Sequence, residues 1–208
     1  MTLPAALILM LVAVAATCAV WRWASLPCPW WMVPLLENPY FQLVAGAELL
    51  MGRAGIGAGM RVLDAGCGPG RLTVPIAERV GEAGRVVALD RQPRMLRRLQ
   101  QRVADHGITN VEMVLGRIGE GRLPVESFDI AVLVTVLGEI PEKVAALREI
   151  RGALRADGVL SVTEVLPDPH YLSLARVRAL AAEAGLRERQ VFEGRVGYTV
   201  NLVRHGSG

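Results

Sequence analysis

A glycine-rich run behind an aspartate is the part of the sequence best suited to hold a ligand. Residues 62–71 read VLDAGCGPGR and contain Asp64, Gly66, Cys67, Gly68 and Gly70. Glycine adopts positive φ and lets a ligand approach the main chain. Asp90 follows Gly70 by twenty residues, and a carboxylate at the end of a strand can accept two hydrogen bonds from a ribose diol. We therefore expect a nucleotide-containing cofactor at this loop.

A second group of side chains is suited to proton transfer. These side chains lie at the ends of two apolar runs in the second half of the sequence: Glu139, Glu164, Asp168, His170 and Tyr171. His170 is the preferred single base because an ordinary histidine titrates near neutral pH, and Glu139 and Tyr171 complete the predicted catalytic set. Other interpretations stay open: Glu139 as a cap of the next helix, Glu164 as a structural hydrogen bonder, and Asp168 as a turn residue.

The composition argues against two other kinds of site. The chain has three cysteines without a CxxC spacing and three scattered histidines, so we expect no metal site. Its formal net charge is +3, Lys143 is its only lysine, and no basic run is interleaved with aromatic residues. We therefore expect no nucleic-acid partner.

The elements that must position these residues alternate regularly after Gly59. Apolar runs separated by amphipathic stretches predict βαβ units and a mostly parallel sheet. The predicted strands cover residues 60–66, 84–90, 110–115, 127–136, 159–165, 186–192 and 197–204, and the predicted helices cover 72–80, 93–105, 141–155 and 172–184. The tripeptide ADG at 156–158 predicts a turn before the fifth strand. The last two strands follow each other without a helix and predict a hairpin at one edge.

The first part of the sequence predicts a membrane anchor over residues 1–23. Residues 2–20 carry no charge, and at the rise of a helix they would span roughly 28 Å, close to the hydrocarbon thickness of a bilayer. Trp21 and Trp23 flank Arg22, an arrangement typical of a membrane interface. Because positive residues follow the apolar run, we expect a single-pass protein of the cell membrane with its catalytic domain on the cytoplasmic side. A cleaved signal peptide and a buried core helix are the alternatives.

Residues 24–55 predict an interfacial segment and a cap helix. They contain the amphipathic aromatic residues Trp30, Trp31, Tyr40 and Phe41, and several prolines that interrupt any long helix. We interpret the first part as lying along the membrane surface, or alternatively as a strap packed on the sheet. A helix is predicted over 39–51, followed by a glycine-rich linker over 52–59.

The glycine pattern separates two classes of cofactor. A dinucleotide fingerprint reads GxGxxG, but the sixth position counted from Gly66 is Arg71. The pattern DxGxGxG, from Asp64 to Gly70, instead resembles the first motif of class I S-adenosylmethionine-dependent methyltransferases. The stretches VVALD, FDIAVLVTVLGEIP and LRADGVLSVTEV resemble later motifs of that family.

The resemblance covers about residues 52–204 and implies a fold. It implies an α/β architecture, a doubly wound, mostly parallel, seven-stranded Rossmann-like sheet in the order 3-2-1-4-5-7-6. Residues 56–208 would form the methyltransferase domain, preceded by the N-terminal transmembrane helix.

The resemblance also implies contacts to S-adenosylmethionine. The residues expected around its methionine part are Gly66, Cys67, Gly68 and Gly70, with Asp64 holding the loop or a water. Thr135 would border the transferable methyl group.

The ribose and adenine contacts follow from the later motifs. Asp90 would bind the ribose hydroxyls, and Arg91 would pack against the adenine. Many members of the family place an aspartate where this sequence has Arg117. Adenine recognition would therefore fall to the backbone around Arg117 and Ile118, or to Glu120.

The predicted anchor guides the expectation for the methyl acceptor. A bilayer span suits an acceptor that partitions into lipid, and we favour a phospholipid head-group amine, followed by an isoprenoid quinone. The alternatives are a small permeable thiol or other soluble acceptor, a membrane-tethered scaffold that binds the cofactor without catalysis, and a nucleotide-binding oxidoreductase. The oligomeric state stays open.

Overall fold

The computed structural model describes residues 38–206. The predicted transmembrane helix over 1–23 and residues 24–37 of the predicted interfacial segment lie outside this range. Within it, no helix has both the length and the apolar character needed to cross a bilayer.

The described residues form a seven-stranded sheet in the order β3-β2-β1-β4-β5-β7-β6. The strands are β1 (Arg61–Ala65), β2 (Arg85–Asp90), β3 (Val111–Leu115), β4 (Phe128–Val134), β5 (Leu154–Val165), β6 (Leu186–Glu193) and β7 (Gly197–Arg204). Strands β1 to β5 pair in parallel, and β7 runs antiparallel between β5 and β6. The predicted sheet, strand order and terminal hairpin are confirmed. The order reverses between β1 and β4, which is where open α/β sheets bind ligands.

Helices cover both faces of this sheet. They are α1 (Pro39–Ala45), α2 (Ala47–Ala54), α3 (Thr73–Val80), α4 (Pro93–Asp105), α5 (Lys143–Ala153) and α6 (Leu174–Glu183), with a 3₁₀ turn at Leu137–Glu139. Successive side chains of a strand point to opposite faces. In β1, Leu63 therefore joins the core shared with α5 and α6, and Val62 joins the core shared with α2 and α3. Burial on both faces explains why β1 reads as a nearly continuous apolar run.

Local sequence signals set where two of the helices begin. The Asn38 side chain caps α1 by accepting a hydrogen bond from the backbone N–H of Phe41 at 3.1 Å, and Pro39 occupies the first turn. Ser173 caps α6 by accepting from the N–H of Arg176. The helices predicted over 141–155 and 172–184 are confirmed as α5 and α6 with shorter bounds, since each begins two residues later than expected.

The single helix predicted over 39–51 is wrong, because the chain forms two helices that meet at Gly46. Gly46 has extended backbone angles, φ −65° and ψ 150°, and a Cβ at this position would overlap the carbonyl oxygen of Gln42. The linker predicted over 52–59 is wrong in part, since residues 52–54 belong to α2 and Ile56 is buried in the core. The absence of a side chain at Gly46 permits the close approach that turns the chain.

The turn predicted at 156–158 lies inside β5. The pairing of β5 with β4 shifts from Phe128↔Leu154 to Ile130↔Val159, so β5 carries extra residues between the two pairs. Asp129 faces this irregularity and forms an ion pair with Arg155. The turn residues ADG therefore produce a bulge within the strand rather than ending it.

Replacement of Gly46 by alanine is expected to lower the unfolding free energy by about 1–3 kcal/mol, because the new methyl group overlaps the backbone of Gln42. Gly52→Ala is the matched control, since Gly52 is exposed within α2 and has open space where its Cβ would lie. The control should gain about 0.5–1 kcal/mol. Urea unfolding of both variants measures the difference, and equal stabilities would contradict a tight corner at Gly46.

Candidate active site

A cavity of about 370 Å³ opens at the carboxyl ends of β1, β2 and β4. Its volume falls in the range of small-molecule sites. The predicted cofactor residues that line it are Asp64, Gly66, Cys67, Gly68, Asp90, Arg91, Arg117, Ile118 and Thr135. The structure therefore brings the predicted cofactor residues together at one site, with the exception of Gly70.

The glycine loop after β1 is held by the neighbouring strand. The backbone N–H groups of Gly66 and Cys67 both donate to the carbonyl oxygen of Leu89, at 2.7 and 3.0 Å. Gly66 has φ 80°, and a Cβ there would lie 2.6 Å from a methyl group of Val136. A side chain at this position would therefore both strain the loop and collide with the wall after β4.

Gly70 has a different neighbour from the one expected. Its φ is 90°, and a Cβ there would overlap the side chain of Leu99 in α4. Gly70 therefore lets α4 pack against the loop and lies outside the cavity lining, and its expected contact with the cofactor stays a prediction.

Asp90 ends β2 with its carboxylate already oriented by the backbone. One oxygen accepts from the N–H of Gly68 at 2.9 Å, and the other accepts from the N–H of Gln92 at 2.7 Å. Burial raises the pKa of Asp90, and these two hydrogen bonds and the charge of Arg91 act in the opposite direction. Each carboxylate oxygen keeps a further lone pair, so the group can still accept hydrogen bonds from a diol.

Asp64 connects β1 to the helix that follows the glycine loop. The hydroxyl of Thr73, the first residue of α3, donates to its carboxylate at 2.7 Å. This contact agrees with the expectation that Asp64 holds the loop. Burial raises the pKa of Asp64 to about 6, partly opposed by Thr73 and Arg71. Arg71 also lines the cavity and donates to the carbonyl oxygen of Ala45, which links α1 to the cavity wall.

The loop between β3 and β4 forms a second wall of the cavity. Its lining residues are Gly116, Arg117, Ile118, Gly119 and Glu120. Glu149 of α5 fixes this loop, because its carboxylate accepts from the backbone N–H groups of Gly119, Arg122 and Leu123. Glu120 pairs with Arg122 at 3.1 Å. Sequence reasoning missed Glu149, since its partners lie about 30 residues away and no motif marks it.

The wall after β4 combines apolar side chains with two carboxylates. Its lining residues are Val134, Thr135, Val136, Glu139, Ile140, Pro141 and Glu142. Thr135 has φ 54°, which costs a β-branched residue of the order of 1–3 kcal/mol. Its N–H donates to the carbonyl oxygen of Thr163 at 2.9 Å, and its hydroxyl donates to that of Val134 at 2.7 Å. These bonds hold the strained residue in place, as is common at functional sites.

Two of the three predicted catalytic side chains lie outside the cavity lining. His170 is only 6 % exposed, and its main chain packs directly against Gly138, where a Cβ would overlap the His170 carbonyl oxygen. Tyr171 contacts Tyr198 edge to face, with 6.1 Å between ring centroids. Glu139 is the member of the set that lines the cavity. The structure therefore places His170 and Tyr171 behind the wall that carries Glu139, and their direct role in the reaction stays a prediction.

A known protein family shares this arrangement. A family model described as a methyltransferase domain matches residues 56–191, more than half of the chain. The chain belongs to the methyltransferase-domain family. The matched region is a class I S-adenosylmethionine-dependent methyltransferase domain, as the motifs implied.

The individual proteins with similar sequences match only part of this chain. Nocamycin O-methyltransferase from Saccharothrix syringae is 33% identical over 53% of this chain and 40% of its own length. The ubiquinone/menaquinone biosynthesis C-methyltransferase UbiE from Hahella chejuensis is 35% identical over 54% of this chain and 45% of its own length. This chain therefore spans less than half the length of these relatives, and their names differ in the atom that is methylated.

A solved structure shows the same fold over nearly its whole length. The crystal structure of a SAM-dependent methyltransferase from Aquifex aeolicus matches with a TM-score of 0.78 at 24% identity. The match covers 85% of this chain and 98% of that one. At 24% identity this likeness shows the shared fold and nothing further.

The cavity residues of this chain fit S-adenosylmethionine. Gly68 has φ 54° and open space where a Cβ would lie, so a ligand can approach the main chain at this position. Asp90 offers an oriented carboxylate for a ribose, and Asp64 and Asp90 together complement the positive sulfonium and ammonium groups of the cofactor. When bound, S-adenosylmethionine supplies an electrophilic methyl group.

Asp90→Asn is expected to weaken the binding of S-adenosylmethionine by about 10–100-fold at pH 7.5, because a hydrogen bond to a charged group contributes about 1.5–3 kcal/mol. Asp105→Asn is the control, since Asp105 is exposed at the end of α4 and away from the cavity lining. Titration calorimetry measures both affinities. Unchanged affinity in Asp90→Asn would contradict the assignment of the ribose site.

The affinity for S-adenosylmethionine should rise between about pH 5 and pH 7. Burial raises the pKa of Asp64 to about 6 in the free protein, and a cationic cofactor favours the ionised carboxylate. Below pH 6 binding must therefore release a proton, and affinity falls by up to about tenfold per pH unit. Asp64→Asn should flatten the profile and Asp105→Asn should preserve it, whereas a wild-type affinity independent of pH would refute the coupling.

Proposed function

We propose that the protein transfers a methyl group from S-adenosylmethionine to an apolar aromatic acceptor of the isoprenoid-quinone class. The observation that carries the proposal is the wall after β4, which presents apolar side chains around the half-buried carboxylate of Glu139, while the second carboxylate, Glu142, is exposed. Such a wall suits a ring that must be kept from water and lose one proton. The similar proteins add support, since they include a ubiquinone/menaquinone biosynthesis C-methyltransferase.

We assign Glu139 as the residue that accepts the proton of the methyl acceptor. A hydroquinone ring carbon becomes nucleophilic when the ring hydroxyl gives up its proton, and the Glu139 carboxylate would accept that proton. The ring carbon would then form its bond to the methyl group as the bond between methyl and sulfur breaks. The hydrogen displaced from that carbon would leave as a proton while the ring oxygen regains one, which restores the aromatic hydroquinone. Thr135, Val136 and Ile140 would align the ring and exclude water, which is the main contribution that a protein makes to such a transfer.

A phospholipid head-group amine is the second candidate acceptor. Glu139 and Glu142 both line the cavity, and two carboxylates suit a cationic group. An ammonium must lose a proton before its nitrogen can attack, so Glu139 would serve the same purpose. The two acceptors therefore share one site and differ in the product.

We also propose that the chain works at the cell membrane, with residues 1–23 as a single-pass anchor and the domain on the cytoplasmic side. The support is the uncharged run over 2–20 with tryptophans beside Arg22. Retention of the full-length protein in membranes after alkaline carbonate extraction is the expected result. Release into the supernatant would contradict the anchor and leave the methyltransferase assignment untouched.

The acceptor is tested with purified full-length protein, methyl-labelled S-adenosylmethionine and three separate substrates: a demethylated naphthohydroquinone, phosphatidylethanolamine vesicles and small soluble thiols. Label in the quinone product supports the first proposal, and label in the lipid supports the second. Label only with soluble thiols would overturn both. Cofactor binding without label on any acceptor would favour a scaffold.

Glu139→Gln is expected to lower the transfer rate by about 10²–10⁴-fold while the affinity for S-adenosylmethionine stays within about twofold, because the change removes a proton acceptor and keeps the shape of the side chain. Glu78→Gln, an exposed change on α3, is the control. Single-turnover rates and calorimetry separate the two effects. A rate in Glu139→Gln equal to that of the wild type would remove Glu139 from the proposed proton transfer.

A further inference from the structure

A second carboxyl lies close behind the cavity wall, and the proposed reaction does not use it. Glu164 in β5 is 1 % exposed. Its Oε2 accepts a hydrogen bond from the N–H of Leu172 at 3.3 Å, and its Oε1 is buried without a hydrogen-bond partner. A buried carboxylate oxygen without a donor is far costlier than the same oxygen in a neutral carboxylic acid.

The charged groups around Glu164 make its ionisation still less favourable. Asp168 of the loop after β5 and Glu139 of the 3₁₀ turn both act on it with like charge, and Lys143 at the start of α5 opposes them. From β7, Tyr198 stands directly across the strand pair. Burial, together with these two carboxylates, raises the pKa of Glu164 to about 8.

Glu164 is joined to the cavity through the loop at 166–173. The N–H of Leu172 donates to Glu164, and the carbonyl oxygen of the same Leu172 accepts from the Tyr198 hydroxyl at 2.8 Å. The middle of this loop packs main chain against main chain where His170 meets Gly138. Gly138 precedes Glu139, so the position of the loop sets where the Glu139 side chain meets the cavity.

We propose that Glu164 is a proton-carrying positioning residue: while its carboxyl is neutral, no charge repulsion opposes the packing of the 166–173 loop against the 137–139 turn, and that packing places Glu139 at the acceptor. The effect on methyl transfer rests on the proposed function, whereas the protonation of Glu164 does not. At alkaline pH the O–H bond of the acid breaks and the proton passes to water. The resulting carboxylate faces Asp168 and Glu139 without a donor at Oε1, which pushes the loop away from the turn.

The sign of the pH effect follows from the raised pKa. The folded protein keeps a proton on Glu164 that the unfolded chain, with an ordinary glutamate, loses above about pH 4.5. The stabilising contribution is therefore complete at low pH and disappears as pH rises through 8. Glu164→Gln imitates the neutral acid and lacks the proton, so its stability relative to the wild type should increase between pH 5 and pH 8.

The first test is an infrared titration of the full-length protein between pH 5 and pH 10. A carboxylic-acid band that disappears with a midpoint near pH 8, and that is missing in Glu164→Gln but present in the exposed control Glu78→Gln, is expected. A midpoint below pH 6, or a band unchanged in Glu164→Gln, would overturn the proposal. The wild-type titration decides the question of protonation even if a variant does not fold.

The second test is the pH profile of methyl transfer. The quantity compared is the rate at pH 9 divided by the rate at pH 7. This ratio should be about tenfold lower in the wild type than in Glu164→Gln, because about one wild-type molecule in ten keeps the Glu164 proton one pH unit above the pKa. Tyr198→Phe keeps the carboxyl and removes one tie to Leu172, and it should move the alkaline limb to lower pH. Identical alkaline limbs in the wild type and Glu164→Gln would overturn the positioning role. If no acceptor is methylated, the proposed function fails, and the infrared midpoint still decides the protonation of Glu164.

Discussion

The carboxylate of Asp90 is the contact on which the cofactor side of the site depends. It accepts hydrogen bonds from the backbone N–H groups of Gly68 and Gln92, so one side chain joins the end of β2 to the glycine loop after β1. The backbone N–H groups of Gly66 and Cys67 reinforce the same junction through Leu89. A loop that carries positive φ at its glycines is thereby fixed by hydrogen bonds from the neighbouring strand. The binding surface is ready before a ligand arrives, which reduces the ordering cost of binding.

The acceptor side depends on a different constraint, the close approach of two main chains. Gly138 in the turn after β4 lies against the carbonyl of His170 in the loop after β5, and a residue with a Cβ would separate them. Because of this contact, the position of the wall around Glu139 depends on both loops. It also explains why a buried acid such as Glu164, two elements away, can affect a carboxylate that lines the cavity. The cofactor side is thus fixed by local hydrogen bonds, and the acceptor side by packing between distant parts of the chain.

Short-range patterns were sufficient to locate the strands and the glycine loop, whereas the strand order and the individual cofactor contacts came from the resemblance to a known family. Apolar runs located every strand, and the spacing from Asp64 to Asp90 located the loop and the acid that line the cavity. Two features could not be read from the sequence, because each depends on a contact formed only in the folded chain. The break at Gly46 depends on its approach to Gln42, and the placement of His170 depends on its contact with a residue about thirty positions earlier. Periodicity contains no information on such contacts, so a histidine after β5 could not be assigned to the cavity or to the layer behind it.

We propose that the cavity beside Asp90 binds S-adenosylmethionine and presents its methyl group to the wall that carries Glu139. The most direct measurement is a crystal structure of the protein with S-adenosylhomocysteine. We expect density for the ribose at Asp90 and density for the homocysteine part along the loop of Gly66 and Gly68. Thr135 and Glu139 should stand on the open side of the sulfur. A nucleoside bound elsewhere, or a sulfur directed away from the wall after β4, would contradict it.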